Sequence, residues 1–440
     1  MLVRMMVLPG GISGANRDGV STELQSRRAG LPHAVFLQRV ADEPATSPDV
    51  RLGQGAFLTL RFVDLLAPDR ELPSPDVFRY QWAATERYCA ELSGEGTEAS
   101  HLSCIVRAAG DAHRDGNLQM LAPALFAYAL YLEQESHLEE AEDALLTMIN
   151  VGGGRLAASD AISAWMRLGR VRRLQAAFDQ ADDAYAEAGR IASRVGDRQS
   201  FLTSQVGQAN VLYFRGNLAE AERRWRSILA DTDGTSYRAV MAQAEHGLGN
   251  LLSRRGQTHE GAPHLWKAYE LYEDESAQLR VLTDLGILML RLGHVADAER
   301  ALNEVVRRER TGAETLTNAL IELMNCASYR RDRLGFERWR ERCLEHLPQS
   351  PPNIRADFSM KAGIGYARFG SARKADTQFR QALEIATAHG LHEVVFRVEP
   401  ILAGAKDCGA PEYVESAAPE AVYEAESLKE VSASLAMLGA

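Results

Sequence analysis

Three asparagines, Asn210, Asn250 and Asn325, recur at corresponding places in segments of helical pattern. An asparagine side chain donates and accepts at once, so a row of them can hold the backbone of an extended peptide. Arg170 occupies the same place one period earlier. Arg173, Tyr213, His246, Arg280 and Tyr329 stand at neighbouring positions, with Arg254, Arg291 and Arg368 one place further on. Guanidinium groups bind carboxylates through paired hydrogen bonds. Acids at equivalent positions are few, Glu133 and Asp357. Together these residues point to non-covalent capture of an extended acidic peptide segment. A plain solvated helix surface is the alternative use for the same residue types.

Reactive chemistry is harder to place. Val151-Gly-Gly-Gly-Arg155 lacks both the preceding strand and the Gly-Lys-Ser/Thr ending of a phosphate loop. Gly363-Ile-Gly365 followed by Gly370 falls inside a helical segment, where close packing accounts for it. His101 and Cys104 are one helical turn apart, but Gly110 separates them from His113 and no fourth metal ligand follows. A buried cysteine beside a satisfied histidine fits better. Neither His259 with His264 nor His389 with His392 makes a stronger case. No Ser/His/Asp spacing suggests a nucleophile, so the expectation is no catalytic residue, no metal and no cofactor.

Composition narrows the field further. The chain has 46% apolar and 25% charged residues, enough for a packed core with an ordinary surface. Its net charge of -11 argues against direct nucleic-acid binding, which needs clustered Lys and Arg. Five cysteines, Cys89, Cys104, Cys326, Cys343 and Cys408, are scattered and odd in number, as in a reduced cytoplasmic protein. No run of apolar residues is long enough to span a membrane or to serve as a signal segment.

What must position the asparagines and arginines is a repeat. The stretches 137–141, 178–181, 216–221, 256–261, 293–298 and 370–375 each read as a turn entering a helix. Each ends on a small residue: Ala141, Ala181, Ala221, Gly261, Ala298 and Ala375. A degenerate unit centred on Phe336 fills the remaining gap, giving seven units with a period of 37 to 40 residues. Twelve positions before each anchor another small residue recurs: Ala129, Gly169, Ala209, Gly249, Gly286 and Gly363. Two antiparallel helices approach closely only where side chains are small. The asparagine positions lie eleven residues before the anchors, on the first helix of each pair.

Trp165-x-x-Leu168-Gly169 with Ala181, Tyr185 and Ala188 resembles the tetratricopeptide repeat family, as do Gly363, Tyr366, Ala375, Phe379 and Ala382. Leu248-Gly249 and Leu285-Gly286 recover its Leu-Gly pair, while Arg172, Gln205, Gln208 and Phe336 depart from the pattern. The period exceeds the usual 34 residues, which predicts longer helices. The resemblance covers about two thirds of the chain. It implies an all-α, right-handed superhelical solenoid of antiparallel helix pairs whose first helices line a concave face.

The expected organisation is a mostly disordered or loosely attached segment over 1–75, a leading helix pair over 76–117, the solenoid over 118–400, and an acidic linker with a capping helix over 401–440. Seven of the fifteen prolines fall in the first 75 residues, which could also in part reflect an upstream start codon. The acidic tail, or the N-terminal segment, is alternatively an occupant of the groove. The function expected is a protein- or peptide-binding scaffold or adaptor, not an enzyme. The alternative is a peptide-responsive regulator controlling transcription or signalling.

Overall fold

A computed structural model describes residues 31–39, 47–68, 74–308, 311–404 and 426–438. Among them the secondary structure is entirely helical. Cys408 and the acidic stretch through residue 425 lie outside the described residues, as do residues 1–30. The chain divides into two compact units, one ending at Ile191 and the other beginning at Ala192.

In the first unit, α1 (Pro48–Val63), α2 (Pro75–Glu91) and α3 (Thr97–Asp115) pack together and lead into the pair α4 (Leu121–Gln134) and α5 (Leu138–Gly152). A further pair follows, α6 (Ala158–Leu174) and α7 (Phe178–Val195). The segment expected to be loosely attached is, over its described part, built into this core. Phe36 is fully buried and stacks on Tyr128 with ring centroids 6.3 Å apart. Val50, Ala56, Leu60 and Val63 of α1 are buried too, and α1 packs against α2, α3 and α5.

Charge fixes the same segment. The Arg39 guanidinium is buried between Glu98, at 2.9 Å, and Glu140, which it meets through two of its nitrogens. Tyr128 donates to the other oxygen of Glu98 at 2.8 Å. Burial would lower the charged form of Arg39, but Glu140 and Glu98 more than reverse this and raise its pKa. The prolines misled because Pro48 and Pro75 stand in the first turn of helices, where a missing N–H costs nothing.

The second unit consists of helix pairs: α8 (Arg198–Arg215) with α9 (Leu218–Thr232), α10 (Arg238–Arg254) with α11 (Thr258–Leu271), and α12 (Glu275–Arg291) with α13 (Val295–Arg307). The pairs α14 (Ala313–Tyr329) with α15 (Arg333–His346) and α16 (Pro352–Arg368) with α17 (Ala372–Ala388) follow, and α18 (His392–Leu402) closes the run against α16 and α17. First helices of 17 residues in α10, α12, α14 and α16 account for a period above 34.

The small residues do the work expected of them. A Cβ on Gly249 would lie 2.6 Å from Leu265, one on Gly286 2.8 Å from Leu302, and one on Gly363 2.7 Å from Phe379. Gly261 faces both Gly249 and Ser253, so the backbones of α10 and α11 run in near contact. Gly169 makes the same room for Tyr185 in the first unit. Where Phe336 replaces the small anchor, Gly365 of α16 yields the space, and any side chain there would overlap its ring. Both glycines of Gly363-Ile-Gly365 therefore serve packing.

The C-terminal helix α19 (Glu426–Met437) lies elsewhere than at the end of the array. It packs against α11 and α13, the second helices of two interior pairs, burying Leu428, Val431 and Leu435. It packs closely neither on the last pair, where α18 lies, nor on the first helices, while the acidic stretch expected as an alternative occupant of the groove lies outside the described residues. Sequence reveals an amphipathic face but not the surface that meets it.

Candidate functional site

First helices of successive pairs in the second unit, α8, α10, α12, α14 and α16, pack directly on one another, whereas the second helices do not pack closely. The residues expected at positions 210–368 lie on these first helices. Asp284 of α12 stands in the middle. Its Oδ2 accepts hydrogen bonds from His246 Nε2 at 2.8 Å and from Asn250 Nδ2 at 2.9 Å, tying α10 to α12. Tyr272 closes over the imidazole, with its hydroxyl 3.4 Å from Nδ1. Burial would raise the Asp284 carboxyl, but His246, Asn250 and the charge of Arg280 outweigh it and hold it below the usual range. The fork is therefore a carboxylate at neutral pH.

Three arginines lie on the same two helices. The Arg254 guanidinium lies over the Tyr213 ring, 5.2 Å from its centroid, and reaches the Tyr213 carbonyl at 3.4 Å. Arg291 donates to Ser253 Oγ at 3.0 Å. Arg280 is exposed on the first turns of α12. Among the described residues none of the three forms an ion pair with a carboxylate. Asn210 of α8 is half-buried and has no hydrogen-bond partner among the described residues.

Further along, the expected ligand-binding residues are committed to one another. Arg368 is buried and donates to Asn325 Oδ1 at 3.1 Å and Ser328 Oγ at 2.8 Å, with its guanidinium 5.1 Å from the Tyr329 ring centroid. Asn325 gives its own N–H to Glu322 at 3.3 Å. Lys361 joins Glu322 and Asp357, the latter at 2.6 Å. Burial would lower the charged form of Lys361, yet the two carboxylates raise its pKa. This half of the face is an internal polar lattice holding α14 to α16.

Arg170 and Arg173 belong to the first unit. Arg170 donates to Glu133 at 2.5 Å, and Arg173 is packed against Tyr185, its charged form disfavoured chiefly by burial. Both are engaged within that unit. Asp284 sits fourteen residues before its anchor, outside the asparagine register of the repeat, so that register alone does not single it out. A signal was present nonetheless: it is the lone charge in Val281-Leu-Thr-Asp-Leu-Gly-Ile-Leu-Met-Leu290. An acid in so apolar a helix needs partners.

The other motifs carry no site. Arg155 donates to the carbonyls of Leu66 and Val151, so the glycine cluster is a pinned connection. Cys104 is exposed, and His101 lies beside Tyr131 with ring centroids 5.2 Å apart. Among the described residues no group of His, Cys, Asp and Glu is arranged to hold a metal, and no helix is long and apolar enough to cross a membrane.

No family model matches the sequence, and no curated protein matches it significantly. Solved structures with a similar fold include the apo form of the quorum sensor NprR from B. thuringiensis, at 11% identity, covering 84% of this chain and 92% of that one, with a TM-score of 0.49. The apo form of RapI matches at 10% identity over 77% of this chain and 96% of its own, with a TM-score of 0.46. A Rap protein complexed with Competence and Sporulation Factor matches at 11% identity over 80% of this chain and all of its own, with a TM-score of 0.44.

Proposed function

We propose that the inner face of the second unit binds an extended acidic peptide segment, making the protein a peptide-binding scaffold of tetratricopeptide type and not an enzyme. The observation that supports it is the pair Arg254 and Arg291, which meet no carboxylate within ion-pair distance among the described residues, with Arg280 exposed beside them. Each guanidinium can take a peptide carboxylate through two hydrogen bonds. Asn210 supplies a free amide for the peptide backbone. His246 and Asn250 act indirectly: their bonds to Asp284 hold α10 and α12 in register, so that Arg254 and Arg291 face the same stretch of ligand.

The partner surface is thus narrower than the sequence implied. Asn325 and Arg368 hold helices together, and the ligand contacts concentrate on α8, α10 and α12. Buried thiols at Cys89, Cys326 and Cys343 suit a reducing, cytoplasmic setting.

The experiment is fluorescence anisotropy with two labelled pools of random decapeptides, one enriched in Asp and Glu and one in Lys and Arg. The acidic pool should bind, and the Arg254→Ala/Arg291→Ala double variant should lose at least tenfold in affinity. Preference for the basic pool, or acidic-pool binding indifferent to the double variant, overturns the proposal.

A further inference from the structure

Beyond the packing of α11 on α12, the pairs α10/α11 and α12/α13 are bridged twice more, on opposite sides. On the inner side the bridge is polar: His246 and Asn250 of α10 bond Asp284 of α12, and Arg291 bonds Ser253. On the outer side it is apolar. Helix α19 packs against α11 and α13 together, and Leu428, Val431 and Leu435 join one buried cluster with Leu265 and Ala268 of α11 and Leu302 and Val305 of α13. Trp266 and Tyr269 lie half-buried against that cluster. Helices α11 and α13 do not pack closely on each other but each packs on α12, which adds Leu282, Leu285 and Met289 to the cluster. Helix α19 spans the two second helices on the side away from α12 and adds a further apolar contact to both.

We infer that α19 is an outer strap that sets the angle between these two helix pairs, and that docking of the strap and closure of the Asp284 fork on the inner face are energetically coupled. Stacked helix pairs touch only their neighbours, so the angle between pairs is the soft coordinate of such a fold. Two clamps on opposite sides of one joint both depend on that angle. Releasing either one relaxes the joint for the other, and the coupling is necessarily reciprocal. Because 405–425 separates the strap from α18, docking is intramolecular and held by the effective concentration of a tethered segment. Any ligand that prefers one inter-pair angle shifts the strap, and any partner that captures the strap shifts the inner face. The inference rests on the two bridges and is independent of the acidic-peptide reading.

Hydrogen exchange of the full chain, without ligand, tests it. In Val431→Asp, amides of 246–254 and 280–288 should exchange at least fivefold faster, although the strap touches neither α10 nor α12 closely, while 313–329 and 352–368 stay unchanged. In Asp284→Ala, amides of 426–437 should accelerate by a similar factor. Deprotection confined to 426–437 and to α11 and α13 in the first variant overturns the coupling. So does unaltered exchange of 426–437 in the second. If Val431→Asp accelerates exchange throughout the second unit, Leu435→Ala decides: the local pattern supports the strap, and its absence overturns it.

Discussion

The Nδ1 atom of His33 lies 2.6 Å from Oδ2 of Asp143, a residue 110 positions further along the chain. Its Nε2 lies 3.1 Å from Asp64, so one buried imidazole joins the N-terminal segment, the turn after α1 and the second helix of the α4/α5 pair. Burial alone would lower its pKa, but the carboxylates of Asp143 and Asp64 reverse this and raise it from 6.5 to about 9. The charged histidine is thus a structural element, used as Arg39 is a few residues later.

A pH dependence follows with a definite sign. A folded-state pKa above the unfolded value stabilises fully below pH 6.5, and the contribution is lost as pH rises through about 9. The shift corresponds to about 3 kcal/mol, as an order of magnitude. Urea midpoints of the full chain, followed by exchange protection in 48–63 and 138–152, should fall between pH 6.5 and 9. His33→Gln should be less stable at pH 6 and should flatten that dependence. A wild-type midpoint constant across this interval would show that His33 is not held as a cation.

Turn geometry yields a second expectation. The turns after α8, α10, α12 and α16 use glycines in the left-handed region, with Gly216 at φ 90° and Gly293 at φ 82°. After α14 the same place is taken by Arg331 at φ 61°, exposed and bearing a Cβ. Left-handed backbone costs a non-glycine residue roughly 1–2 kcal/mol. Arg331→Gly should therefore raise the thermal midpoint, by an amount corresponding to about 1 kcal/mol after the added freedom of the unfolded chain is subtracted. A lowered midpoint would mean that the Arg331 side chain stabilises the turn by more than its backbone strain costs.

The repeat frame was legible because the packing rule is local. Gly249 against Leu265 and Gly286 against Leu302 obey a fixed sixteen-residue offset, and fixed offsets leave a period in the sequence. Phe336 looked degenerate because its compensation, Gly365, lies in the next pair and breaks no rule of its own. Contacts between distant segments leave no period at all. Nothing near His33 or Arg39 announces Asp143 or Glu140, so the N-terminal segment read as loose. The groove residues share only a position in the repeat, and position says which face a side chain occupies but not whether a neighbour already satisfies it. Asn210 and Asn325 are equivalent in the repeat, yet one is open and the other saturated.

That contrast supplies the last prediction. Asn325 accepts from the buried Arg368 and donates to Glu322, so Asn325→Ala removes a hydrogen bond from each of two charged groups in a buried setting. Arg368 keeps Ser328 and the Tyr329 ring, and Glu322 keeps Lys361, which limits the damage. A buried polar group deprived of its partner costs about 1–3 kcal/mol. Asn210→Ala removes nothing that the folded chain uses and should change stability by less than about 0.5 kcal/mol. Denaturant midpoints of the two variants, measured side by side, therefore sort structure from availability. If Asn210→Ala costs as much as Asn325→Ala, the α8 amide is part of the scaffold, and the peptide backbone must be held elsewhere.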